Sequence, residues 1–149
     1  MPEGQEPPPP FRPNTRFGYA LKRAQQAMRA RMDCGLAPLG LNAPQYAVLA
    51  ALEAEPGLSN ADLARGAFVT PQTMQSMLAK LTRTGLIERY PDEAHGRIQR
   101  TELTPEGHAA LIQAHAVAAE AERIAREAVA PDDGDAAAAM LDRVAEALR

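Results

Sequence analysis

Tryptophan is absent from this chain and cysteine occurs once. Only six residues are aromatic: Phe11, Phe17, Tyr19, Tyr46, Phe68 and Tyr90. One cysteine excludes an intramolecular disulfide. Alanine is the largest part of the 46% apolar content; it favours helix but buries little area per residue. A chain of 149 residues built this way reads as one domain with a modest core, and it gains by sharing that core with a partner. No run of about 18 apolar residues occurs, so no membrane-spanning helix is expected. No basic stretch leads into an apolar one, so no secretory leader is expected and the cytoplasm is the expected compartment.

Catalytic signatures are missing too. There is no glycine-rich phosphate loop, no G-x-S-x-G elbow and no H-E-x-x-H. The histidines are His95, His108 and His115. The last two lie about 10.5 Å apart along a helix axis, too far to share a metal. Glu120, Glu122 and Glu127 read as a solvated face. No enzyme activity, metal or cofactor is expected.

What is present is concentrated between residues 59 and 103. Ser59 is placed to cap a short helix, with Asp62 three residues on completing a capping box. Thr70 is a second cap, and Pro71 follows at the first helical position, where its missing N–H costs nothing. Met74, Met77, Leu78 and Leu81 then recur at helical spacing as one apolar stripe, and Gly85 stops the helix. At about 100° per residue, Gln72, Ser76, Ala79 and Arg83 fall opposite that stripe, flanked by Thr73, Gln75 and Lys80. Amides read adenine edges, hydroxyls fit several bases, lysine and arginine meet guanine or phosphate, and the small Ala79 permits close approach. Any amphipathic helix has a polar face, so the next segment decides the reading. Leu86–Tyr90, a turn at Pro91–Gly96 and Arg97–Leu103 form a hairpin carrying Arg89, Arg97 and Arg100. Helix, turn, helix and basic ribbon in that order describe a winged helix-turn-helix, with one helix for the major groove and an arginine for the minor groove. The candidate DNA contacts are Ser59, Thr70, Gln72, Thr73, Gln75, Ser76, Ala79, Lys80, Arg83, Arg89 and Arg97.

The net charge of −3 and pI near 5.6 are unusual for a DNA binder, but the charge is unevenly placed. Residues 70–101 carry a balance of +2, and residues 105–149 a balance of −5. Phosphate contact follows the local field rather than the total.

Around this segment the chain is helical. Met1–Pro10 contains five prolines and no apolar periodicity, so a disordered or polyproline tail is expected. A first helix is expected from about Thr15 to Asp33, with Phe17, Leu21, Ala24, Met28 and Met32 on one stripe. A second begins near Ala43 and stops at Pro56-Gly57. Thr104-Pro105-Glu106 opens a long helix to about Ala128, with Leu111, Ala114, Ala121 and Ile124 at three- and four-residue steps. Pro131–Gly134 reads as a turn, and a last helix carries Ala137, Met140, Leu141, Val144 and Leu148.

The ordered set Leu41-Asn42-Ala43-Pro44-Gln45-Tyr46, Leu58-Ser59-Asn60-Ala61-Asp62-Leu63-Ala64, Thr70-Pro71-Gln72-Thr73, Gly85-Leu86-Ile87-Glu88-Arg89, Gly96-Arg97 and Leu103-Thr104-Pro105-Glu106-Gly107 resembles the multiple-antibiotic-resistance regulator (MarR) family of bacterial transcription factors. The resemblance covers the chain from about Thr15 onward. It implies a mainly α fold with a small β-hairpin wing: a winged helix-turn-helix lobe at 41–104, dimerisation helices at 14–40 and 105–149, and a tail at 1–13. It also implies a homodimer that represses transcription from a pseudo-palindromic site on double-stranded DNA until an effector releases it. Two positions depart from the pattern. His95 stands where the family usually has an aspartate that fixes the wing arginine, so Arg97 is expected to be held more loosely, or to be held by Asp92 or Glu93. Ser76 stands where the family often has arginine.

Effector sites follow from the same resemblance. Aromatic carboxylates and phenols bind family members between the dimerisation helices and the lobe. Arg16, Tyr19 and Arg23 lie beside the first helix's apolar stripe, where an arginine can fork a carboxylate and a tyrosine can donate to it. Basic residues that only face solvent are the alternative there. Cys34 is the candidate for redox sensing. However, it lies at a helix carboxyl end, which disfavours a thiolate, whereas in peroxide-sensing relatives the cysteine is nearer the helix start. A winged helix used only for protein contact is the remaining reading.

Overall fold

The computed structural model describes Pro10, residues 16–129 and residues 133–149. The expected tail, apart from Pro10, and Pro131 and Asp132 of the expected turn lie outside the described residues.

The first helix, α1 (Phe17–Leu36), runs three residues past its expected end at Asp33. Pro38 does not end it abruptly. A 3-10 turn, Ala37–Leu39, accepts the proline near its start, and Gly40 at φ +71° closes it. The extra turn buries Leu36 beside Met32. Asn42 then caps α2 (Ala43–Ala54) in a full capping box with Gln45. Gln45 is itself buried, with its side-chain oxygen accepting the Asn42 N–H. The Asp33 carboxylate accepts the Ala43 N–H at 2.7 Å and so ties α1 to the start of α2.

A two-residue strand, β1 (Leu58–Ser59), leads into α3 (Asn60–Gly66) and α4 (Pro71–Arg83). The hairpin follows as β2 (Ile87–Pro91) and β3 (Gln99–Leu103). Sequence reading gave two strands, whereas the sheet has three in the order β1-β3-β2, all antiparallel. Pro91 pairs with Gln99, so the proline belongs to the strand rather than the turn, and Arg97 belongs to the turn rather than the strand. Proline is tolerated there because β2 is an edge strand.

Helix α5 (Pro105–Val129) starts under Thr104, whose hydroxyl accepts the Gly107 N–H and donates to the Gly85 carbonyl at 2.6 Å. It packs on α1 and α2, and α6 (Gly134–Ala147) packs on α5. The core joins Leu36, Val48, Leu49 and Leu52 to Leu63, Met74, Leu78, Leu81, Ile87 and Leu111. It lies where α2, the lobe and the first half of α5 meet. The rest of the helical layer is thinly covered. Phe17 and Leu21 on α1, Ile124 on α5 and Met140 and Leu141 on α6 are exposed, and α6 buries no residue. No helix among the described residues is long and apolar enough to cross a membrane.

Candidate nucleic-acid interface

The lobe is built on two caps. The Ser59 hydroxyl accepts the Asp62 N–H at 3.2 Å and donates to Asp62 Oδ2 at 2.6 Å; the same oxygen accepts the Ser59 N–H. These bonds hold the Asp62 carboxyl below its ordinary pKa, the Ser59 hydroxyl contributing most. Thr70 caps α4 by accepting the Thr73 N–H, and its hydroxyl donates to Thr73 Oγ1 at 3.0 Å. The Asn60 side chain donates to the Pro71 carbonyl at 3.1 Å, fixing the start of α3 to the start of α4.

Helix α4 buries Met74, Leu78 and Leu81. Its opposite face exposes Gln72, Thr73, Gln75, Ser76, Lys80 and Arg83, with Ala79 half-buried between them. At 13 residues it is about 20 Å long, enough to lie along a major groove. The polar groups differ in freedom. The Ser76 hydroxyl donates to the Gln72 carbonyl at 3.3 Å, which leaves its lone pairs outward. Ser59 and Thr70 spend their hydroxyls on capping. Ser59 is half-buried in β1, so its side chain supports the helix start rather than projecting from it.

The wing takes the looser of the two arrangements expected for Arg97. Asp92 does not hold Arg97. Its Oδ2 accepts Arg100 Nε at 2.7 Å, and its Oδ1 accepts the Ala94 and His95 N–H groups. Arg100 also donates to the Gly57 carbonyl at 3.4 Å. The pairing of Pro91 with Gln99 sets Asp92 just beyond the strand end, within reach of Arg100. Arg100 and the turn N–H groups depress the Asp92 pKa, the guanidinium contributing most. Arg97 sits in the exposed turn with no ion pair among the described residues. Arg89 lies half-buried between wing and α4, its Nη1 3.5 Å from Gln75 Oε1. The Asp92–Arg100 clamp was missed. Its signal in the sequence is an acid and a base placed to meet across a hairpin, but reading it requires the register.

The effector candidates are less well assembled. Arg16 precedes α1 and its carbonyl accepts the Tyr19 and Ala20 N–H groups; Tyr19 is half-buried and Arg23 exposed. One cleft opens between α2 and α3, lined by Ala47, Ala51, Leu58 and Leu63. Another opens between α1 and α5, lined by Arg31, Cys34, Val117 and Glu120. Neither is lined by Arg16, Tyr19 or Arg23. Cys34 is exposed at the edge of the second cleft, beside the Arg31–Glu120 pair at 4.0 Å.

Residues 39–98 match the MarR family. Over 112 residues the chain is 41% identical to the HTH-type transcriptional repressor Rv2887 of Mycobacterium tuberculosis, a match covering 74% of this chain and 81% of that protein. The transcriptional repressor CouR, solved bound to a 23-mer DNA duplex, superposes with a TM-score of 0.83 at 31% identity. That match covers 89% of this chain and 94% of CouR. Rv2887 solved in complex with salicylic acid superposes with a TM-score of 0.70 at 34% identity, over 87% of this chain and 96% of that one.

Proposed function

From a chain that belongs to the MarR family, we propose a homodimeric, sequence-specific transcriptional repressor that a small aromatic carboxylate or phenol releases from DNA. The observation that carries the reading is the exposed Gln72–Arg83 face of α4, held by two caps and the Asn60 brace beside an arginine-bearing wing. Each lobe, residues 41–104, sets α4 in a major groove and offers Arg97 to the neighbouring minor groove, where the potential is most negative. Thr73 and Gln75 join Gln72 and Ser76 in reading base edges. Lys80 and Arg83 meet guanine or phosphate, and Ala79 lets the helix sit close. Thr70 acts through the α4 amino end it caps, and Ser59 and Arg89 support the reading helix from behind.

The helices outside the lobe, residues 14–40 and 105–149, form the dimer. Their exposed apolar side chains are what a second copy covers, and two lobes together offset the weak basicity of one. Half-sites then lie about one helical turn apart. CouR was solved on duplex DNA and Rv2887 with salicylic acid, which supports a repressor that answers to an aromatic acid. Arg16, Tyr19 and Arg23 are the residues for that acid's carboxylate and hydroxyl. The protein works in the cytoplasm by binding, without catalysis of its own.

The test is fluorescence anisotropy of the full chain on duplex DNA from upstream of its own gene, at two salt concentrations. Affinity that falls steeply with salt and exceeds that for scrambled DNA is expected. Equal, salt-insensitive binding to both duplexes would leave the winged helix as a protein-contact module.

A further inference from the structure

Phe68 occupies the turn between α3 and α4 in a way the fold does not explain. It is 91% exposed, and its φ is +56°, the one positive φ at a non-glycine position among the described residues. The turn closes α3 through the Ala67 N–H to the Leu63 carbonyl and the Val69 N–H to the Ala64 carbonyl. That closure places Phe68 in the left-handed conformation that helix ends normally give to glycine. A β-carbon there is strained, and a phenyl ring in water gains nothing from burial. Two costs thus fall on one residue with no return among the described residues.

Its position supplies the return. Phe68 stands two residues before Thr70, the cap of the reading helix, on the turn that follows α3. It is outside the Gln72–Arg83 reading face and beside the end of α4 that enters the groove. A group at that place meets the strand backbone rather than base edges, and the apolar part of the backbone is the deoxyribose. We propose that Phe68 packs on a deoxyribose of the strand flanking the amino end of α4. This rests on the DNA-binding reading above.

The test compares full-length wild type with F68G and F68N by anisotropy on the operator and on scrambled duplex, over a range of salt. Both replacements accept positive φ, so neither should unfold the lobe. A sugar contact is apolar and carries no sequence information. The expected result is about tenfold weaker binding to both duplexes with the slope against salt unchanged. F68G should melt at the wild-type temperature or up to about 4 °C higher. Variants that bind like wild type would overturn the assignment. So would a loss confined to the operator, which indicates a base contact, or a lower melting temperature for F68G, which indicates a packing role. If wild type itself fails to bind, the regulator reading fails instead.

Discussion

The Tyr46 hydroxyl lies 2.9 Å from His115 Nδ1, and His115 Nε2 lies 2.8 Å from Glu53 Oε2. A carboxylate only accepts, so Nε2 carries the hydrogen, and in the neutral ring Nδ1 is left to accept from the phenol. The rings meet edge to face at 5.6 Å. This chain of bonds joins α2, the first helix of the lobe, to α5, which belongs to the helical layer. Y46F should cost about 0.5–1 kcal/mol in urea unfolding, because it leaves Nδ1 without its donor at a half-exposed site. A variant as stable as wild type would show that the bond contributes nothing.

The same phenol sets an alkaline limit. Burial first, and the Glu53 carboxylate second, raise the Tyr46 pKa above its ordinary value of 10.0. A raised folded pKa contributes stability that is complete below the unfolded value and is lost as pH rises through the folded one. Stability should therefore fall more steeply above pH 10 in wild type than in Y46F. Parallel alkaline unfolding profiles would contradict this.

On the acid side the wing should loosen as Asp92 takes up a proton. The Arg100 guanidinium, then the His95 and Ala94 N–H groups, lower the Asp92 pKa. A lowered folded pKa contributes stability present above the ordinary carboxylate value of 3.8, lost as pH falls through the folded one. Hydrogen exchange in residues 92–98 should accelerate below that range before exchange in α4 does. D92A and R100A should each weaken operator binding, and the double variant should lose less than the sum of the two, since both break the shared Asp92–Arg100 pair. Additive losses would mean that the two side chains act separately.

Much of this architecture was legible because its signals are local. Ser59 with Asp62, Thr70 with Pro71, and Thr104 with Pro105 announce three helix starts by spacing alone, and all three cap as read. The Met74, Leu78 and Leu81 stripe fixed which face of α4 is buried, and so which face is free. What escaped reading depends on partners distant in sequence. Two residues, Leu58 and Ser59, cannot show alternation; they are a strand only because Thr101 and Arg100 lie opposite. The Asp92–Arg100 pair waits on the hairpin register in the same way. Phe68 escaped because a left-handed turn announces itself through glycine, and this turn has none at that position. Asn42 and Gln45 obey the same three-residue rule at the start of α2.

Gly107 controls how closely α5 approaches the wing. A β-carbon there would collide with the Leu86 carbonyl, a backbone atom held in place by the Thr104 N–H at 3.1 Å. Neither side can yield without moving the hairpin or the helix start. G107A should destabilise the fold by about 2–3 kcal/mol, although alanine is the better helix former. A neutral or stabilising substitution in thermal unfolding would show that the junction is more pliant than its geometry indicates.

The oligomer prediction follows from what one chain leaves bare. Phe17 is 57% and Leu148 82% exposed, and Leu21, Ile124, Met140 and Leu141 are each exposed by 36–41%. These residues lie on α1, α5 and α6 or just past the end of α6. A single chain leaves this layer largely uncovered, which is what a second copy would bury. Removing α6 by truncation after Asp133 takes away Met140, Leu141 and Leu148 but leaves the winged lobe's core, from Leu63 to Leu103, complete. Sedimentation should find full-length dimer and truncated monomer or aggregate. The monomer should retain the far-ultraviolet signal of a folded lobe yet bind the operator far more weakly, because a single weakly basic lobe loses the second half-site's phosphate contacts. A truncated protein that still sediments as a soluble dimer would place the interface elsewhere and leave those exposed side chains unexplained.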